Sequence, residues 1–231
     1  MKHTGLIAAL AGLLAVGLAG HANAFPINSG TSFTDGDKIF DSFSCNVASR
    51  VGNTVGDCAT LSVIPLSSAV PGGELGVRIG GLLSANGLQN QQAILDLNIG
   101  YRVRTISGDP IIIGNSLRFD GEEDNECPIC FAEVTEKVLV RNAQGQLEEI
   151  AFKRVTENDR DAFKSFPGQK ELFIEKDIGL FSIVPTGAPF TENRVSISLI
   201  DQDFVQKVPE PATLALFAVG LAGLAGLRRR R

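Results

Sequence analysis

Hydrophobic and polar residues alternate with a period of two along much of the chain. From Ala93 to Thr105, Leu95, Leu97, Ile99, Tyr101 and Val103 interleave with Asp96, Asn98, Gly100, Arg102 and Arg104. A period of two puts one set on each face of a strand, one face apolar and one wet. Arg194 to Phe204 repeats the pattern, with Val195, Ile197 and Leu199 opposite Ser196 and Ser198. Ala132 to Arg141 gives a third run, with Ala132, Val134, Val138 and Val140 opposite Glu133, Thr135, Lys137 and Arg141. Leu61 to Leu66, Glu74 to Ile79, Ile111 to Phe119, Leu147 to Val155 and Glu171 to Phe181 carry weaker forms of it.

Turn chemistry separates the runs: Pro71-Gly72-Gly73, Asn86-Gly87, Ser107-Gly108-Asp109-Pro110, Gln144-Gly145 and Pro167-Gly168. The one helix candidate is the short charged stretch Glu157 to Phe166, which reads equally as a loop. Many strands without long helices between them predict an all-β fold, an antiparallel β-sandwich of jelly-roll or Ig-like type.

Two apolar segments flank this body and do not share its pattern. Met1 to Ala24 has a basic start at Lys2, an apolar run from Leu6 to Leu18 and the small-x-small sequence Ala22-Asn23-Ala24. That is a secretory signal peptide, expected as a helix and cut before Phe25. At the other end, Ala212 to Leu227 is an uncharged apolar run followed by Arg228, Arg229, Arg230 and Arg231. Sixteen helical residues span roughly 24 Å, a little short of a hydrocarbon core of about 30 Å. Arginine snorkelling absorbs such a mismatch, and the arginine cluster resists crossing, which leaves the body outside. Both ends thus predict one topology: an exported, single-pass precursor in the inner membrane that requires the secretion machinery.

The body, 25–207, is one domain by size. Lys2 and Arg228 to Arg231 account for five of the 21 basic residues and Glu210 for one of the 26 acidic ones. The body therefore carries a formal charge of about −9, against −5 for the whole chain. Such a body repels phosphate backbones and argues against nucleic acid as a partner.

Candidate chemistry is sparse. The two histidines, His3 and His21, lie in the signal peptide. The mature region has no histidine for a catalytic triad, a Cys–His dyad, a zinc site or a general base, and the expectation is a protein that is not an enzyme. There is no tryptophan and Tyr101 is the one tyrosine, so flat platforms for sugar rings are scarce. Phenylalanine on an alternating strand is expected in the core. Cys45, Cys58, Cys127 and Cys130 make an even count in an exported chain and suggest disulfides. Of three pairings the local one is favoured, Cys45 with Cys58 and Cys127 with Cys130. A redox pair or a metal site at Cys127-x-x-Cys130 stays open. Asp120, Glu122, Asp124 and Glu126 alternate in what reads as an acidic loop, either solvated or gathered around calcium, which takes oxygen ligands. No other cofactor is expected.

The segment Val208-Pro209-Glu210-Pro211 before the apolar run, with the arginine cluster after it, resembles the PEP-CTERM sorting signal. The two prolines hold the backbone extended just outside the membrane, in a form a processing enzyme can thread. The resemblance implies an exosortase substrate, cut near the Pro-Glu-Pro and delivered to the cell surface or beyond, often in bacteria that make exopolysaccharide. The body is similar to β-rich domains found ahead of such tails, on Gly36-Asp37-Lys38-Ile39-Phe40-Asp41-Ser42-Phe43-Ser44 and on Tyr101 to Asp120. That resemblance brings no catalytic residues. The expected function is a non-enzymatic surface or matrix protein of an exopolysaccharide or biofilm layer. The alternative is a carbohydrate- or calcium-binding sandwich module on a single-pass anchor.

Overall fold

The computed structural model describes residues 24–69, 75–106, 111–124, 127 and 129–207. The helix expected for the signal peptide up to Asn23, the tail from Val208, and the turns expected at Pro71-Gly72-Gly73 and Ser107 to Pro110 lie outside them. Among the described residues no helix is long and apolar enough to cross a membrane.

The described chain forms thirteen strands and one helical turn. The strands are β1 (Phe25–Pro26), β2 (Phe33–Asp35), β3 (Lys38–Val51), β4 (Asn53–Val55), β5 (Ser62–Pro65), β6 (Gly76–Leu88), β7 (Ala93–Thr105), β8 (Ile111–Glu123), β9 (Phe131–Arg141), β10 (Leu147–Thr156), β11 (Asp161–Gln169), β12 (Glu171–Ser182) and β13 (Glu192–Lys207), with α1 (Leu66–Ala69) after β5. One sheet runs β1-β5-β6-β13-β8-β11, with β4 also on β6. The other runs β10-β9-β12-β7-β3-β2. All pairings within the sheets are antiparallel. From β6 to β13 the chain changes sheet at every connection except the β9–β10 hairpin. This places β6-β13-β8-β11 over β7-β12-β9-β10, the strand order of a jelly roll.

The alternating runs become the centre of the sandwich. β7 and β12 pair over twelve consecutive positions with no register shift, from Glu171 opposite Arg104 to Ser182 opposite Ala93. Leu95, Leu97, Ile99, Tyr101 and Val103 are all buried, as are Leu172, Ile174, Ile178 and Leu180 opposite them. Each such side chain contributes roughly 1.5–3 kcal/mol on burial. A slip of one residue would turn this face to water, which is why the register is firm.

Three sequence readings are corrected. Glu157 to Phe166 is not a helix, and only its first residues are a loop: Thr156 and Asp159 exchange main-chain hydrogen bonds in a tight turn, and the chain leaves as β11 (from Asp161) along β8. Pairing with an open sheet edge outweighs the local preference of this charged stretch. Asn86-Gly87 is inside β6, opposite Arg194 and Asn193 of β13, and is not a turn. A Cβ on Gly87 would lie 2.5 Å from the main-chain nitrogen of Ile183, so the glycine serves a close backbone approach. Pro167-Gly168 lies within β11, where the register with β8 breaks between Ser165 and Gln169. β11 is an edge strand, which tolerates the missing N–H of proline. The Gln144-Gly145 turn is present, closed by the Asn142 N–H to the carbonyl of Gln146 at 2.8 Å.

Candidate functional site

The cysteines pair locally, Cys45 with Cys58 and Cys127 with Cys130. Cys127 and Cys130 sit between β8 and β9, and Cys130 is followed directly by β9. Glu123 Oε1 accepts the Cys127 main-chain N–H at 2.7 Å. Glu123, Cys127 and Cys130 are the one group of three metal-type donors drawn together among the described residues. In the disulfide the two sulfurs are bound to each other, so they offer no thiolate ligands.

The acidic stretch is placed differently from its sequence reading. Asp120 and Glu122 are exposed on β8, which continues to Glu123 and pairs with β13, so this part is strand and not loop. Alternate residues of a strand stand about 6.8 Å apart. Asp120 faces Arg160 at 3.5 Å, and Asp124 follows the strand with its N–H on the Arg194 carbonyl. Glu126 lies outside the described residues, as do Val208 to Pro211 and Arg228 to Arg231.

The outward face of the six-stranded sheet holds a site that the sequence reading missed. Across β7, β12 and β9, Asp96, Gly179 and Glu133 lie side by side in register, and so do Asn98, Asp177 and Thr135. Gly179 has no side chain to fill the middle, and a groove of about 340 Å³ opens there. Ile94, Phe131 and Phe181 wall one end of it. Phe131 and Phe181 are cross-strand partners, with ring centroids 5.7 Å apart and planes 20° from parallel. Phe131 is 41% exposed, so its ring faces solvent and not the core.

The acids of the groove are incompletely matched. Burial raises the Asp177 pKa to about 6, assisted by a hydrogen bond with Asp96 and the charge of that neighbour, against an opposing pull from Lys137. Asp96 Oδ1 is buried with no hydrogen-bond partner. Glu133 is taken by Arg154 at 2.5 Å. Further along the same face the charges are satisfied: Arg102 donates to both carboxylate oxygens of Asp41 at 2.7 and 3.0 Å, and Arg104 adds a third contact at 3.3 Å. The groove therefore combines carboxylate acceptors with flat apolar rings. A ring-shaped ligand would set its hydroxyl groups on the carboxylates and its apolar C–H face on the aromatic rings.

A family model matches the chain at its tail. Residues 207–231 match the family model described as the PEP-CTERM protein-sorting motif. The matched residues hold the Pro-Glu-Pro segment, the apolar run and the arginine cluster. No curated protein matches. The chain is similar in structure to a CBM4 structure at 7% identity, over 50% of this chain and 74% of that one, with a TM-score of 0.23. It is also similar to a family 29 carbohydrate binding module at 16% identity, over 69% and 88%, with a TM-score of 0.17. These likenesses are too distant to bear on a ligand.

Proposed function

We propose that this chain is a non-enzymatic surface protein, cut by exosortase at its Pro-Glu-Pro segment and held in an exopolysaccharide or biofilm layer. The carrying observation is the sorting motif over residues 207–231. Around it stand the signal peptide and the apolar run with its arginine cluster, which together make a single-pass inner-membrane precursor with the body outside. The histidine-free body supports a role without catalysis. The groove between Asp96, Asp177 and the Phe131–Phe181 pair supports contact with polysaccharide, since it offers hydrogen-bond acceptors beside aromatic faces.

One retention assay in cells tests both parts. Deleting residues 208–231 is expected to move the body from the cell surface to the medium or periplasm. Replacing Phe131 and Phe181 together by alanine, with the tail intact, is expected to leave processing unchanged and to weaken retention by the polysaccharide. Unchanged surface display of the deletion variant would defeat the sorting reading. Unchanged retention of the double variant would defeat the groove reading alone.

A further inference from the structure

Between the sheets lies a polar cluster that surface binding does not use. Glu136 of β9, Lys153 of β10 and Lys176 of β12 point inward from one sheet, and Asn115 of β8 and Gln202 of β13 from the other. None is more than 2% exposed. Lys153 Nζ is 2.7 Å from Glu136 Oε1. It also donates to the side-chain oxygen of Asn115 and, at 3.2 Å, to the main-chain oxygen of that residue. Asn115 Nδ2 donates to the same Glu136 Oε1 at 2.8 Å, as does Gln202 Nε2 at 2.8 Å. Lys176 binds Glu136 Oε2.

Two amines thus share one carboxylate in a dry interior. Asp203 also acts on Lys153, but it is engaged by Ser116 and, at 3.1 Å, by Arg118. An excess buried charge is costly, and a buried lysine relieves it by shedding its proton. Burial lowers the pKa of both Lys153 and Lys176 against the opposing pull of Glu136. Burial alone would raise the pKa of Glu136, but the charges of Lys176 and Lys153 outweigh it and keep the carboxyl ionised. The cluster therefore brings an amine that burial biases toward its neutral form, an amide carbonyl and a carboxylate within reach of one another. Those are the parts of an acyl transfer: a nucleophile, an electrophile and a proton carrier.

We propose that Lys153 and Asn115 become joined by an intramolecular isopeptide bond that ties the two sheets together, with Glu136 moving the proton. The Lys153 nitrogen attacks Cγ of Asn115, and the electron pair of the C=O bond moves onto Oδ1. Glu136 Oε1 takes a proton from the attacking nitrogen and passes it to Nδ2, which it already contacts. The Cγ–Nδ2 bond then breaks and ammonia leaves. An amine and a primary amide become a secondary amide and ammonia; Glu136 is restored, and no oxidant, reductant or co-reactant is consumed. Holding the reactants together replaces a bimolecular encounter, and the absence of water protects the intermediate. The product also removes the excess charge, leaving Glu136 and Lys176 as a matched pair.

Peptide mapping of the full-length protein decides the matter. After denaturation, reduction and trypsin digestion, residues 105–118 and 142–154 are expected as one branched peptide. Its mass should be the sum of the two less one ammonia, because a bonded Lys153 resists cleavage. In Glu136→Gln, which keeps the side-chain shape and removes the base, the same regions are expected as two linear peptides, 105–118 and 142–153. Should that variant fail to fold, the wild-type map still decides. A wild-type digest with cleavage after Lys153 and an unmodified Asn115 overturns the proposal. So does a branched peptide that persists in Glu136→Gln, as far as the role of Glu136 is concerned.

Discussion

Glu136→Ala is expected to destabilise the body by about 3–5 kcal/mol at neutral pH, the range for removing one partner of a buried ion pair. Glu136 is the single carboxylate bound to both Lys153 and Lys176, and all three side chains are fully buried. Without it Lys176 has no counter-charge in contact, and Gln202 Nε2 loses its acceptor. The effect has a pH signature. Burial lowers the Lys176 pKa to about 8 in the folded protein, partly offset by Glu136. The unfolded value is about 10.4. Between these values the unfolded chain binds the extra proton, so the Lys176 contribution raises stability as pH climbs from 8 to about 10.4. In Glu136→Ala the lysine loses the partner that keeps it charged and sheds its proton at a lower pH. The deficit of the variant is therefore expected to be smaller at pH 9 than at pH 6. Urea unfolding at the two pH values measures it, and a deficit that grows with pH would contradict this account of the cluster.

Phe40→Ala is expected to cost about 3–5 kcal/mol by leaving a cavity in the core. Phe40 is fully buried on β3. Its ring lies 5.2 Å from Phe33, 6.5 Å from Tyr101 and 5.7 Å from Phe204 across the sandwich. It is thus packed against both sheets, and its neighbours cannot close over the gap without moving the sheets together. At about 2–4 °C per kcal/mol for a domain of this size, the melting temperature should fall by roughly 10 °C. Phe131→Ala supplies the contrast. That ring is on the outer face, and its loss should change stability by about 0.5 kcal/mol or less. Equal effects of the two substitutions would mean that the inner and outer faces have been misassigned.

The legible part of the fold was the part whose sequence alternates apolar and polar residues. Ala93 to Thr105 is a strand with those ends, and the runs around Ala132, Ile111, Leu147, Glu171 and Arg194 all became strands of the two sheets. β3 was hidden because its alternation is broken twice. The register with β7 shifts between Asp41 and Ser44 and again between Val47 and Ser49, with Ser42 at a positive φ of 58°. Each bulge moves the following side chains to the other face, so no single period runs along the strand. The charged start of β11 was hidden for a different reason, since an edge pairing partner in β8 is invisible to local pattern.

The same distinction applies to the sites. The sorting segment is a contiguous motif and was readable directly. The local pairing of the cysteines followed from their spacing and is the one the fold adopts. The groove was not readable, because Asp96, Glu133 and Asp177 come together only through the register of three strands. Phe131 and Phe181 looked like core residues for the same reason. A signal was nonetheless present: both lie at or next to the end of a strand in which the apolar face is already filled by its alternate neighbours. The buried cluster left a similar trace. Lys176 lies between Ile174 and Ile178 on the inward face of β12, and Glu136 between Val134 and Val138 on that of β9. A charged residue on an otherwise apolar face marks a buried polar partner, here on the neighbouring strands as well as in the facing sheet.

The most direct test of the central claim is the mass of the mature protein isolated from the surface of its own cells. A chain that begins at Phe25 and ends within or next to Val208-Pro209-Glu210-Pro211, without the apolar run and arginine cluster, is the predicted result. A surface-displayed chain that still ends in Arg231 would contradict it.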